Sequence, residues 1–259
     1  MTTQSMRGRR TPVWRRNRTL NVLGRWTIVT FIALVFRLLV RLGYVRIEGR
    51  ERLERAVAEG RFLIAANHPS WLETLWLPVA VSWPQCLWEE RAMPWSIARE
   101  DILPRGLRFM FHLLYCLPVC RKLLNDGVRE SARKKALTAD SVKRALAILK
   151  GYGVVVCYPE GDLTVCGASF AVRGERRIAE FENAELLRLV RLAHARILPA
   201  YVSFLGSEKK LRPLGYLWLL LRGNVMSISF GEPYELDPSE KTVDTQNREL
   251  AERILGAGA

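Results

Sequence analysis

The sequence predicts an α/β fold, a mixed sheet flanked by helices, preceded by an N-terminal membrane-associated helix. Three observations carry this expectation. From about residue 45 onward, short apolar runs alternate with longer stretches of helical periodicity. The first 47 residues hold ten arginines, no Asp or Glu, and one uncharged apolar run. At 259 residues and 49% hydrophobic content, the chain can bury one large core and is not a disordered protein.

In the N-terminal segment, Trp26–Phe36 is eleven residues without a charge. As a helix this run is about 16 Å long, short of the roughly 30 Å of bilayer hydrocarbon. It spans only if Arg25, Arg37 and Arg41 are drawn in with their heads at the interface. A helix lying in or dipping into the membrane, its arginines against anionic headgroups, fits better. No small-residue cleavage site follows, so a secretory signal fits poorly. The arginines put this end on the cytoplasmic face, as a peripheral or monotopic anchor. A core helix behind a disordered basic tail is the plainer alternative. The segment carries +10 of the chain's net +14. Its neighbour is apolar rather than a basic, aromatic surface, so no nucleic-acid partner is expected. The expected division is 1–45, a basic tail and membrane-associated helix, and 46–259, one domain.

In that domain, Phe62–Ala66, Gly153–Tyr158, Ile197–Phe204 and Val225–Phe230 read as strands: short, apolar and mostly rich in β-branched or aromatic residues. Between the first two, Val128, Ala132, Ala136, Val142, Ala145, Leu146 and Leu149 recur at helical spacing. This predicts a helix over Val128–Lys150, closed by Gly151 and Gly153. Glu182–Ala193 is a second amphipathic candidate. Gly215–Leu221 is an apolar patch that suits either a membrane contact or buried structure. Five cysteines without a CxxC pair give no metal site and no disulfide framework, and Cys157 reads as a buried thiol.

The chemistry concentrates where the first strand ends, at Asn67-His68-Pro69-Ser70-Trp71-Leu72-Glu73. A largely neutral imidazole can take a proton from a hydroxyl, and a carboxylate can hold its tautomer and stabilise the imidazolium. Positions i and i+5 of one helix point about 140° apart, so His68 must lie in the loop before the helix. Ser70-x-x-Glu73 is equally a capping box. Both readings hold together only if Glu73 divides its oxygens between cap and imidazole.

These residues resemble the NHx4D block of the glycerolipid acyltransferases, the PlsC and lysophosphatidic acid acyltransferase group. Cys157-Tyr158-Pro159-Glu160-Gly161 resembles their FPEG block, and Leu117–Arg121 sits where the second block ends in arginine. Ile197-Leu198-Pro199 and Phe230-Gly231-Glu232-Pro233 resemble the last two. The five landmarks fall in family order over residues 62–233. The resemblance implies direct transfer from acyl-CoA or acyl-carrier protein to a lipid hydroxyl, with His68 as base and Glu73 as its partner. Asn67, Arg121, Glu160 and Gly161 would form the acceptor site. No cofactor beyond the thioester co-substrate and no metal is implied, and the partners are membrane lipids.

Two departures stand out. The family's aspartate is Glu73 here, and the arginine of FPEGTRS is replaced by Leu163 beside Asp162. Arg173, Arg176 and Arg177 follow closely and offer replacements. The acceptor is thereby opened to other lysophospholipids or a glycolipid. A non-catalytic lipid-binding relative is the competing reading, and retention of both His68 and a carboxylate speaks against it.

Overall fold

The computed structural model describes residues 22–70, 73–82, 84, 87, 92–100, 113–120, 128–161, 164, 169–181, 185–204, 218, 222–223, 225–236 and 242–257. Arg121, Asp162 and Leu163 and most of Gly215–Leu221 lie outside these residues.

The strands are β1 (Val45–Glu48), β2 (Phe62–Ala66), β3 (Trp95–Arg99), β4 (Cys116–Val119), β5 (Val154–Cys157), β6 (Ser169–Arg173), β7 (Arg176–Ala179), β8 (Arg196–Phe204), β9 (Met226–Phe230) and β10 (Tyr234–Glu235). Seven of them run β1-β9-β8-β2-β5-β3-β4 across one sheet, with β10 added beside β8. β6 and β7 form a separate hairpin. The sheet is mixed but mostly parallel: β8 is antiparallel to β9 and β10, and every other pairing is parallel. At its centre β2 pairs with β5 on one side and β8 on the other, and all five of its residues are buried. An unbroken apolar run is what a strand covered on both faces requires.

Helices cover both faces. Phe62, Ile64 and Ala66 point into a cluster with helices α1 (Thr30–Arg41) and α3 (Glu73–Ser82). Leu63 and Ala65 point the other way, toward α4 (Val128–Lys150), α5 (Glu185–Ala193) and α6 (Val243–Leu255). α2 (Arg50–Glu59) joins β1 to β2. The α4 bounds agree with the periodicity of the sequence. Its end is set by the Gly153 N–H on the Ile148 carbonyl, 2.9 Å, where a Cβ would come within 2.7 Å of the Ile148 side chain.

The N-terminal helix differs from its expected form in length. It is continuous from Val22 to Arg41, through a π-helical turn at Arg25–Val29 that runs into α1. Twenty residues at 1.5 Å each give about 30 Å, so it is long and apolar enough to cross a membrane. Its two faces are both apolar. Val29, Ala33, Phe36 and Leu39 are buried in the core, with Phe36 6.1 Å from Trp76 of α3. Trp26, Phe31, Leu34, Leu38 and Leu42 are more than half exposed.

Candidate active site

β2 and β5 are parallel neighbours in register, with Ala65 beside Cys157. The two loops that leave their carboxyl ends therefore emerge side by side, although about ninety residues separate them. One loop carries Asn67 and His68, the other Tyr158, Glu160 and Gly161.

His68 is in the loop, as its spacing to Glu73 demands, and Glu73 is the first described residue of α3. The imidazole Nδ1 lies 2.5 Å from Glu73 Oε1. The same oxygen accepts the Ser70 N–H at 3.1 Å, and Oε2 accepts the Ser70 hydroxyl at 2.5 Å. Glu73 thus serves cap and imidazole together, the single arrangement in which both sequence readings survive. Its side chain is fully buried, and Ser70 and His68 satisfy both of its oxygens. With Nδ1–H donated to a carboxylate, Nε2 is the basic nitrogen of the ring.

Tyr158 stacks on the imidazole, ring centroids 4.6 Å apart and planes 27° from parallel. Its hydroxyl donates to the Glu73 carbonyl at 3.2 Å, so one side chain braces both members of the pair. Burial, followed by the Glu73 charge, raises the phenol well above its ordinary value and keeps it protonated.

Asn67 and Glu160, expected at the acceptor, have backbone and loop partners within the fold. The Asn67 amide donates to the Val202 carbonyl (2.9 Å) and accepts the Val202 N–H (2.6 Å), extending the β2–β8 pairing by one step through a side chain. Glu160 is almost fully buried. Its Oε2 accepts the His68 N–H at 2.8 Å and the Thr164 hydroxyl at 2.6 Å, and its Oε1 accepts the Ala179 N–H of β7 at 2.7 Å. Burial raises its carboxyl despite these donors. Gly161 closes a turn, with φ +72° and its N–H on the Tyr158 carbonyl at 3.1 Å. That φ is open to glycine and costly for a residue with a Cβ. Arg121 lies outside the described residues.

Thr164 and Tyr158 are the residues sequence reasoning misses. Thr164 accepts the His68 N–H on its hydroxyl (3.1 Å) and donates its own N–H to the His68 carbonyl (2.8 Å). The available signal was a hydroxyl four residues beyond Glu160. Cys157 is buried, and burial pushes its thiol up to about 12, too high for a nucleophile at neutral pH. Among the described residues, no cluster of His, Cys, Asp or Glu is arranged to hold a metal ion.

An imidazole and a carboxylate are thus paired where parallel strands end, a geometry compatible with activating a hydroxyl. Residues 44–203 match the family model described as Acyltransferase. That is more than half of the chain, and the protein belongs to this family, which includes the PlsC-like glycerolipid acyltransferases. It is an acyltransferase. No curated protein matches the chain in a direct sequence comparison.

Proposed function

We propose that the protein is a membrane-docked O-acyltransferase in which His68 deprotonates a hydroxyl of a lysophospholipid or related lipid acceptor. The hydroxyl attacks the thioester carbonyl of acyl-CoA or acyl-carrier protein. The tetrahedral intermediate collapses to the new ester, and the proton held on Nε2 goes to the leaving thiolate. Glu73 stabilises the imidazolium in between. The observation that carries this reading is the 2.5 Å contact of His68 Nδ1 with the buried Glu73 carboxylate, which supports Nε2 as the base.

Membrane docking rests on the exposed apolar face of the Val22–Arg41 helix. The opposite face is committed to the protein core, so the helix lies along the domain with Trp26, Phe31, Leu34 and Leu38 outward. Such a face, flanked by Arg37 and Arg41, suits the headgroup–acyl boundary of the cytoplasmic leaflet. The helix's buried face packs on α3, the helix that begins at Glu73, so the reaction would occur next to the surface holding the acceptor. Non-catalytic lipid binding would require neither a paired imidazole nor a buried carboxylate beside it. The deciding experiment is acyl transfer by the purified protein to a panel of lysolipids and glycolipids, with and without His68.

A further inference from the structure

The three arginines that follow the Pro159-Glu160-Gly161 turn sit on one hairpin, and the structure divides them. In β6–β7, Arg173 pairs with Arg176 and Val172 with Arg177, so these two pairs face opposite ways. Arg176 is committed to α6, with Nη1 donating to the Leu255 and Ala257 carbonyls and its guanidinium over the Tyr201 ring. Arg173 lies on the same side, its Nη1 beside Gly256. Arg177 and the exposed Val172 occupy the other face.

Arg177 Nη2 donates to the Thr164 carbonyl at 2.7 Å. Thr164 holds both the N–H and the C=O of His68, so the guanidinium is one residue removed from the base. Its Nε and Nη1 have no hydrogen-bond or ion-pair partner among the described residues. The hairpin is also fixed relative to His68. Glu160 bonds the Ala179 N–H with one oxygen and the His68 N–H with the other, so a single buried carboxylate ties the strand bearing Arg177 to the catalytic loop.

We propose that Arg177 is a specificity-determining residue that binds the headgroup anion of the acceptor lipid, a group carrying one negative charge such as a phosphodiester. The proposal rests on the acyl-transfer reading above. One guanidinium whose Nε and Nη1 are unspent among the described residues matches one charge, and a phosphomonoester near −2 needs a second positioned cation. The cation thus reaches the site from a hairpin after the turn, where the family's motif has arginine at the position of Leu163.

The test uses full-length enzyme in detergent micelles, with acyl-CoA and three acceptors: monoacylglycerol (uncharged), lysophosphatidylglycerol (one charge) and lysophosphatidic acid (near two). Wild type is expected to favour lysophosphatidylglycerol. Arg177→Ala should lower its kcat/KM relative to monoacylglycerol by about tenfold or more, chiefly through KM, and Arg177→Lys should recover part of the loss. A ratio unchanged within about twofold, an equal loss on both acceptors, or a wild-type preference for the uncharged lipid would overturn the proposal. If wild type acylates none of the three, the acyl-transfer reading fails on its own. Binding of monomeric short-chain lysophosphatidylglycerol then decides this inference: weaker binding by Arg177→Ala supports it, and equal binding overturns it.

Discussion

Replacing Glu73 by Gln separates the charge of this carboxylate from its shape. Glu73 receives the imidazole N–H and the Ser70 N–H on one oxygen and the Ser70 hydroxyl on the other. Glutamine can keep its carbonyl toward the first two and turn its NH2 to the Ser70 oxygen, whose hydroxyl rotates to accept. Every bond survives in neutral form, and stability should change by no more than about 1 kcal/mol. What disappears is the charge opposite the imidazolium of the transition state. With about 4 Å between charge centres and an effective dielectric near 20, that interaction is on the order of 4 kcal/mol. At about 1.4 kcal/mol per decade, the rate should fall by about 10²–10³. Glu73→Asp retains the charge but is one methylene shorter and cannot reach His68 and Ser70 together, so it should keep more activity and lose more stability than Gln. Single-turnover transfer rates and thermal melts of the three proteins read both quantities. A Gln variant that is fast and stable would show that Glu73 only caps α3.

Glu160→Gln should be destabilising by about 1–3 kcal/mol, because whichever end carries the NH2 meets a donor from Ala179 or from His68 and Thr164. Burial holds the Glu160 carboxyl above its ordinary 4.5. Between those values the folded state keeps a proton that the unfolded state has released, so this group's contribution to stability declines as pH rises. The Gln variant should lack that slope in denaturant titrations across the acidic range. On the outer face of the N-terminal helix, Phe31→Glu with Leu34→Ser should reduce vesicle binding by at least about tenfold without unfolding the domain, since both side chains are exposed. Salt should strip the wild type only in part, because apolar burial is not screened; complete release by moderate salt would contradict an inserted helix.

Strands and helices with strong local signals were legible. β2, β5, β8 and β9 are short, mostly apolar runs and α4 is a sustained helical period, so their positions are readable locally. The place of His68 before α3 follows from a five-residue spacing. Contacts between distant residues left no such trace. Glu160 and Thr164 meet His68 across more than ninety residues, and Asn67 meets Val202 across 135. They are near because β2 lies between β5 and β8, which is a property of strand order rather than of any local pattern. The hairpin β6–β7 was hidden because Arg173, Glu175, Arg176 and Arg177 leave it without a continuous apolar run. The N-terminal helix was underread because its arginines interrupt the apolar run, whereas its burial follows a stripe at Val29, Ala33, Phe36 and Leu39.

The decisive measurement follows label from acyl-CoA through the purified protein in detergent, with lysophospholipid and glycolipid acceptors, in wild type and in His68→Ala. The expected result is labelled acyl-lipid matched by free CoA thiol, no label retained on the protein, and a rate about 10²–10⁴ lower in His68→Ala with folding and vesicle binding intact. Activity of His68→Ala within a few-fold of wild type would remove the imidazole from the reaction. A labelled acyl-enzyme accumulating in wild type would contradict direct transfer to the lipid hydroxyl.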